Sequence, residues 1–479
     1  MAVRAAGSPA HQTTANSLMW IADGSPSHRA EILLETLAQA EASGVCSRDY
    51  GVAEIRNQLA QGSADYLAAA DALLTEGLFR YANEIGGRNT RDKASLAAAA
   101  LEAEDFRRFI AELAPTDPEY LRLRSALDFY HIVASSGGWA SIPSGPALKR
   151  GMVRAQIADL RRRLAITGDF RAGGLKSTHF DGELEAAVRR FQARHGLRID
   201  GIVGKETSAA FNVPVQVRAA TLAANLCRYP RIAAKQHGTA IVVNIPGAGL
   251  KFFRDDKLVF SSAVIVGRND WPTPIFSDEV SAIELNPYWN IPPRIARNEV
   301  LPRIVQDPRY LETHNIRVLS ERTDPPGELD PSGIDWQSVG TGPLPFRLRQ
   351  DPGPENPMGL VKFRLDNPYH VFLHDTPAKH LFDRSKRNLS HGCVRVQEAL
   401  RLAALLLDAG SQAPAEVLQK ALDDGAPLTI RLSEPVPVHL INISAWVDED
   451  GTVQFRRDAA PGENEKSCTA AVNPASGII

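Results

Sequence analysis

The chain has 479 residues, of which 44% are hydrophobic and 23% are charged, and its formal net charge is −2. This balance predicts a multidomain globular protein with enough apolar residues for sizeable cores. The near-neutral charge gives no electrostatic reason to expect binding to nucleic acid or to membrane surfaces in general. The four cysteines lack a CxxC pair, which argues against a zinc ribbon and against a disulfide-dense scaffold. The spacing leaves open whether Cys46, Cys227 or Cys468 form disulfides.

The sequence contains no run of about 18 consecutive apolar residues, which a membrane-spanning helix would need. Its first residues also lack the basic end and apolar run of a signal peptide. We therefore expect no membrane helix, and we interpret the chain as a mature or trimmed form.

The first half of the chain has a helical pattern. Residues 1–30 are rich in small and polar residues, so we expect a flexible tail there. Residues 31–151 repeat apolar residues at helical spacing, which predicts an α-helical scaffold domain closed by a Gly/Pro/Ser-rich linker. Residues 152–214 predict a compact domain of three helices with a tight glycine turn. Residues 215–238 are interpreted as a helical linker that returns to the scaffold.

From residue 239 the pattern changes to short β-branched runs separated by turn residues, which predicts a β-rich domain over 239–457. Residues 287–346 form a Pro- and Arg-rich stretch that is too long for a turn. It is either a lid that walls the substrate site or a peripheral elaboration. A final hairpin is predicted around Asp450 and Gly451, and a disordered tail over 458–479. The expected fold class is therefore multidomain α+β.

Two short motifs in the β-rich domain carry chemistry. His374 begins HDTP after a β-rich run, and fifteen residues separate it from Ser390, which begins SHGC and ends at Cys393. The apolar spacing after Cys393 predicts a helix, whose positive N-terminal end would favour a thiolate. His374 would take the thiol proton or pair with the thiolate. A buried, inert cysteine and a histidine that only shapes a turn are the alternatives for the single residues.

The segment HDTPAKHLFDRSKRNLSHGCVRV resembles the motif of the L,D-transpeptidase catalytic domain of the YkuD type. NPYWNIPPRIARNEVLP and LRQDPGPENPMGLVKF resemble the large Gram-negative members of that family, in which a scaffold region and a peptidoglycan-binding domain accompany the catalytic domain. The segment FDGELEAAVRRFQARHGLRIDGIVGKETSAAFN is similar to that binding domain. The resemblance covers roughly residues 30–457. It implies an all-α scaffold, a three-helix peptidoglycan-binding-like domain and a β-rich catalytic domain with an inserted lid.

The resemblance also implies roles for single residues. Cys393 would be the acylated nucleophile and His374 its general base, with the backbone carbonyl of Asp375 orienting the imidazole. The backbone N–H groups of Gly392 and Cys393 would form the oxyanion hole. The remaining motif residues would shape the site and help to anchor the substrate; these are Ser390, His391 and Arg395. Neither a metal nor a cofactor is expected.

The implied reaction transfers an acyl group between two peptidoglycan tetrapeptide stems. The cysteine would release the terminal D-Ala of a donor stem, and the side-chain amine of an acceptor stem would open the thioester to link the two third-position diaminopimelate residues. Carbapenems are expected to acylate the same cysteine. The peptidoglycan-binding-like domain would either bind the wall or act as a spacer, and partner proteins are not indicated.

Three other functions share some of these features. An L,D-carboxypeptidase or endopeptidase would use the same acyl-enzyme, with water as its acceptor. A non-catalytic cell-wall scaffold would not need the intact His374 and Cys393 pair. A papain-like protease normally has its cysteine before its histidine, the reverse of the order here. Because peptidoglycan lies outside the inner membrane, the implied function places the protein in the periplasm.

Overall fold

The computed structural model of the chain describes residues 18–40, 50–86, 92–143, 145–171, 173–320, 327–339, 344–408 and 414–459. Among these residues, no helix is long and apolar enough to cross a membrane. Cys227 is disulfide-bonded and Cys393 is a free thiol, whereas Cys46 and Cys468 lie outside the described residues.

Six helices form the N-terminal region. Their bounds are α1 His28–Gln39, α2 Val52–Gln61, α3 Ala64–Gly86, α4 Lys93–Glu102, α5 Phe106–Glu112 and α6 Pro118–Ser135. Ser27 and three aspartates, at 92, 105 and 117, accept backbone N–H groups at the first turns of α1, α4, α5 and α6. A shared core of apolar side chains from α1 to α5 holds most of these helices together.

The predicted tail over residues 1–30 is wrong for residues 18–30. Trp20 is only 1% exposed, and its indole N–H donates to the Thr75 hydroxyl at 2.9 Å. The short hairpin β1 Ile21–Ala22 and β2 Ser25–Pro26 then leads directly into α1. Because one buried tryptophan removes a large apolar area from water, it anchors a segment whose composition alone suggests disorder.

The next domain contains three helices, as predicted. They are α7 Gln156–Ile166, α8 Gly182–Arg194 and α9 Lys205–Phe211. Leu184, Val188 and Phe191 are fully buried in the core of this domain. An ion pair between the buried side chains of Arg194 and Asp169, at 2.6 Å, ties α8 to the loop after α7.

Helix α10, Val215–Ala233, packs against α6 and so returns to the N-terminal helices. A 3₁₀ turn, Ala234–Gln236, leads from α10 into the β-rich domain. The first strands there are β3 Ala240–Asn244, β4 Gly249–Arg254, β5 Lys257–Gly267 and β6 Phe276–Leu285. Strand β3 pairs with β4, and β4 pairs with β5, each in antiparallel register.

The stretch that was predicted as an insertion forms a subdomain with its own sheet and core. Its elements are β7 Trp289–Ile291, α11 Pro293–Ile295, a π-helical segment Ala296–Val300, α12 Leu301–Gln306, α13 Tyr310–Thr313, β8 Ile316–Ser320, β9 Glu328–Leu329, a 3₁₀ turn Pro331–Gly333 and β10 Phe346–Gln350. The four strands lie in the order β7-β10-β8-β9. Twelve buried side chains of this stretch form one apolar cluster, so the subdomain packs around a separate core.

The chain then returns to complete the large sheet. The remaining elements are β11 Val361–Arg364, β12 Leu373–His374, a 3₁₀ turn Lys379–Asp383, β13 Asn388–Ser390, β14 Val394–Val396, α14 Ala399–Asp408, α15 Pro414–Asp424 and β15 Leu428–Ile441. The nine strands lie in the order β13-β5-β14-β12-β11-β6-β15-β3-β4. One face of the sheet packs against α14 and α15 in the largest apolar cluster of the described residues.

The predicted final hairpin is present as β16 Ala445–Val447 and β17 Val453–Phe455. Its buried residues, Ala445, Val447 and Phe455, pack with α6 and α10. The hairpin therefore lies against the helices, although the sequence placed it within the catalytic domain. The predicted disordered tail lies outside the described residues from residue 460 onward.

Candidate functional site

The two motifs meet on adjacent parallel strands at the middle of the large sheet. Strand β12 pairs with β14, with His374 opposite Arg395 and Leu373 opposite Val394. Leu373 and Val394 are fully buried in the core on one face. Because side chains alternate along a strand, His374, Arg395 and Cys393 lie together on the opposite face. The pairing thus brings the histidine and the cysteine of the two motifs to the same side of the sheet.

Cys393 does not begin a helix, which corrects the sequence prediction. It lies in the bend between β13 and β14, and helix α14 starts only at Ala399. The helical spacing that suggested an earlier start includes Val396, which instead belongs to β14. Valine favours strands, and a short apolar run fits both periods, so the pattern alone did not separate them. A helix dipole therefore does not act on the thiol.

Two cationic side chains supply positive potential at the thiol instead. Lys362 lies opposite His374 on β11, and Arg395 lies opposite it on β14. Lys362 forms an ion pair with Glu284 at 3.0 Å and lies 4.3 Å from the centre of the Phe372 ring. The Nε atom of Arg395 is buried without a hydrogen-bond partner among the described residues.

His374 is 2% exposed, and its Nδ1 atom lies 2.5 Å from the backbone carbonyl oxygen of Asp375. Because a carbonyl can only accept a hydrogen bond, Nδ1 carries the proton and Nε2 carries the lone pair. Burial, together with the positive charges of Arg395 and Lys362, lowers the pKa of His374 to about 3, although backbone hydrogen bonds oppose the shift. The imidazole is therefore neutral at pH 7 and can act as a base.

The thiol of Cys393 is only partly exposed, and its sulfur lies 3.8 Å from the backbone oxygen of His370. Burial raises the pKa of the Cys393 thiol, while the Phe372 backbone and the charges of Lys362 and Arg395 act in the opposite direction. The resting pair is thus a neutral thiol and a neutral imidazole. Among the described residues the two side chains contact backbone carbonyls and do not hydrogen-bond each other.

The Asp375 side chain fixes the loop that holds its carbonyl. One carboxylate oxygen pairs with Lys379, and the other accepts the Leu360 backbone N–H at 3.0 Å. Gly359 has a φ of 62°, and a Cβ atom there would overlap the Asp375 carboxylate. A glycine is therefore required where the two loops approach each other.

Ser390 and Gly392 shape the backbone next to the thiol. The Ser390 hydroxyl donates to the Cys393 carbonyl at 2.5 Å and accepts the Gly392 N–H at 3.1 Å. The oxyanion role of Gly392 stays a prediction, because its N–H must leave Ser390 before it can bind an oxyanion. Thr273 adds a contact that the sequence did not indicate: its hydroxyl accepts the Gly267 N–H at 2.8 Å and donates to the Gly392 carbonyl at 2.7 Å.

His391 connects the bend between β13 and β14 (residues 391–393, named the catalytic loop below) to the inserted subdomain. Its Nε2 atom lies 2.6 Å from a carboxylate oxygen of Glu299 on the π-helical segment. The Trp271 ring packs edge-on against the imidazole, with 4.8 Å between ring centres, and the Arg294 guanidinium lies 3.8 Å from the centre of the Trp271 ring. Sequence reasoning missed Glu299, Trp271 and Arg294, because nothing in the local pattern distinguishes them from surface residues.

Within the described part of the chain, no group of three or more His, Cys, Asp or Glu side chains could hold a metal ion. The side chains and backbone described above provide a nucleophile, a base with a fixed tautomer, positive charge and backbone N–H groups. These groups suit acyl transfer through a covalent intermediate on sulfur.

Three family models match the chain. Residues 238–430 match the L,D-transpeptidase catalytic domain (YkuD), residues 10–127 match the Scaffold domain, and residues 153–211 match the family named for peptidoglycan binding. The catalytic match includes both motifs and the inserted subdomain.

A Haemophilus influenzae protein with a provisional L,D-transpeptidase name is 36% identical over 218 residues, which cover 45% of this chain and 43% of that protein. The chain thus matches less than half the length of this relative. An L,D-transpeptidase structure from Mycobacterium smegmatis is 13% identical, with a TM-score of 0.21, and the match covers 42% of this chain and 58% of that one. One from Stackebrandtia nassauensis is also 13% identical, with a TM-score of 0.22 and coverages of 63% and 96%. These TM-scores are too low to support an inference.

Proposed function

We propose that the protein is a peptidoglycan L,D-transpeptidase that links third-position diaminopimelate residues, because residues 238–430 match the L,D-transpeptidase catalytic domain of the YkuD type. The observation that carries this proposal is that His374 on β12 and Cys393, directly before the parallel partner strand β14, lie on one face of the sheet. The carbonyl of Asp375 leaves the base nitrogen of the imidazole unprotonated.

In the first step, Cys393 attacks the carbonyl carbon at the L-centre of diaminopimelate in a donor tetrapeptide. Nε2 of His374 takes the thiol proton and delivers it to the leaving nitrogen of D-Ala. A C–S bond forms and the C–N bond breaks, so the stem remains on sulfur as a thioester. The backbone N–H groups of Gly392 and Cys393 hold the oxyanion, after Gly392 has released Ser390.

In the second step, the side-chain amine of an acceptor stem attacks the thioester. Lys362 and Arg395 provide positive charge that suits the carboxylates of the donor stem and stabilises the departing thiolate. The inserted subdomain contacts the catalytic loop through Glu299 and His391. The inserted subdomain beside the thioester supports transfer over hydrolysis, because excluding water protects a thioester.

Product analysis by mass spectrometry tests this function. The full chain is incubated with purified disaccharide-tetrapeptide, alone and with an acceptor stem, beside the C393S and H374Q variants and an H380Q control. We expect a cross-linked dimer that has lost one D-Ala, and no dimer with C393S. If tripeptide is the only product, with or without an acceptor, the protein is instead an L,D-carboxypeptidase. Cleavage of added cross-linked dimers would indicate an endopeptidase.

Exposure to meropenem tests the acyl-enzyme separately. A strained β-lactam carbonyl is open to attack by the same sulfur, so we expect one covalent adduct, located on Cys393. Absence of an adduct on a folded chain would favour a non-catalytic wall scaffold.

The peptidoglycan-binding-like domain is proposed to hold the wall near the site, and the proposed substrate implies that the protein acts in the periplasm. Fractionation of the cells that naturally make the protein tests that location.

A further inference from the structure

The inserted subdomain places a carboxylate beside the catalytic loop. One oxygen of Glu299 accepts a hydrogen bond from His391, and the other has no partner among the described residues. The Glu299 side chain keeps 37% of its surface exposed, so a ligand can reach the second oxygen. His391 is only two residues from Cys393, which places this carboxylate next to the loop that carries the nucleophile.

The same subdomain places a guanidinium against Trp271, whose ring packs against His391. Arg294 is exposed and stacks over the Trp271 ring, with 3.8 Å from the guanidinium carbon to the ring centre. A second arginine, Arg268, lies 5.5 Å from the same ring but is paired with Asp270 at 3.0 Å. Arg294 has no carboxylate partner in the described ranges, so its donors remain available to an anion.

We propose that Glu299 and Arg294 bind the amino-acid end of the acceptor diaminopimelate, with Glu299 holding its amine and Arg294 its carboxylate. This inference rests on the proposed function. The carbon that bears the attacking amine also bears a carboxyl group, so the acceptor presents both charges on one atom. Glu299 contacts His391, His391 contacts Trp271, and Trp271 contacts Arg294, so the four side chains form one continuous row of contacts. The carboxylate and the guanidinium at the two ends of this row match that pair of charges.

The step that this recognition serves is aminolysis of the thioester. The bound ammonium first loses a proton, and its nitrogen then attacks the thioester carbon. A C–N bond forms, the C–S bond breaks, and the electron pair stays on the sulfur of Cys393. Of the two protons that the ammonium loses in becoming an amide, one goes to the sulfur and one to solvent. Glu299 and Arg294 act by positioning the acceptor.

The test compares two acceptor stems that differ in one group. Lysine at the third position keeps the side-chain amine of diaminopimelate but lacks the carboxyl group beside it. Transfer to each acceptor is measured for the wild type and for R294Q and E299Q. Two changes of the same kind elsewhere in the subdomain, R303Q and E312Q, serve as controls. Meropenem acylation is measured for every variant, so that transfer can be normalised to formation of the acyl-enzyme.

We expect R294Q to raise the KM for the diaminopimelate acceptor about tenfold to a hundredfold, the range for one charge-assisted hydrogen bond, and to leave the lysine acceptor unchanged. E299Q should weaken both acceptors by similar factors. Equal effects of R294Q on the two acceptors, or none, would overturn the inference.

A second measurement needs no turnover. It compares the binding affinities of two tripeptide stems, one with diaminopimelate and one with lysine at the third position, for the full chain that carries C393A. There, R294Q should abolish the preference for diaminopimelate, and retention of that preference also overturns the inference. Failure of the wild type to form an acyl-enzyme would instead defeat the proposed function.

Discussion

The buried imidazole of His374 should make the catalytic domain sensitive to acid. Its pKa is about 3 in the folded chain and about 6.5 in an unfolded one. Because the unfolded state binds the proton first, the stabilisation is fully present above about pH 6.5 and is lost as the pH falls toward 3. Between these values the free energy of unfolding should fall by about 1.4 kcal/mol per pH unit.

From pH 7.5 to pH 5.0, linkage through His374 alone amounts to about 2 kcal/mol. For a domain of this size that corresponds to roughly 4–8 °C in the midpoint of thermal unfolding. The H374Q variant keeps a polar side chain of similar length but does not titrate, so its midpoint should depend less on pH by this amount. H380Q, at an exposed histidine in the nearby 3₁₀ turn, provides the matched control.

The assay is calorimetry of the wild type, H374Q and H380Q at both pH values. Buried His195 also titrates below its usual range, but it is present in all three proteins and cancels from the comparison. The reasoning fails if H374Q and the wild type lose the same stability between pH 7.5 and 5.0. It also fails if H380Q shows the effect expected of H374Q.

Three further predictions concern other contacts. Because burial raises the pKa of Cys393, its alkylation by iodoacetamide should rise about tenfold per pH unit from 7 to 9, and a plateau below pH 8 would contradict the neutral resting pair. D169N leaves the buried Arg194 guanidinium without its charge partner, so urea unfolding should show a loss of about 3–5 kcal/mol, and a loss below about 1 kcal/mol would show that the pair is dispensable. In G359A the new Cβ would displace Asp375, so acylation by meropenem should slow about tenfold or more, and an unchanged rate would mean that the carbonyl does not position His374.

The chemistry of the site was readable in the sequence because it is concentrated in two short segments. Residues 374–377 and 390–393 contain the base, the nucleophile and the glycine next to it. The three helices of the small domain were also predictable, since each has a continuous apolar stripe. Such features depend on residues within a few positions of one another, so they are visible in the sequence itself.

Contacts between distant segments were not predictable in this way. Trp20 is buried because it meets Thr75 across 55 residues, and His391 meets Glu299 across 92 residues. The predicted start of the helix after Cys393 was wrong for a related reason. Residues 394–396 form strand β14 because β5 and β12 flank them in the sheet. Strand pairing and packing between separate cores select one of several locally acceptable conformations.

The amino-acid sequence alone thus determined which residues can react and which segments form helices, because both depend on local side-chain chemistry and periodicity. Only the tertiary structure decided the face on which His374 and Cys393 meet, the neutral state of both groups, and the approach of Glu299 and Arg294 to the catalytic loop. The physical reason is that burial, charge and strand register are set by residues far apart in the chain.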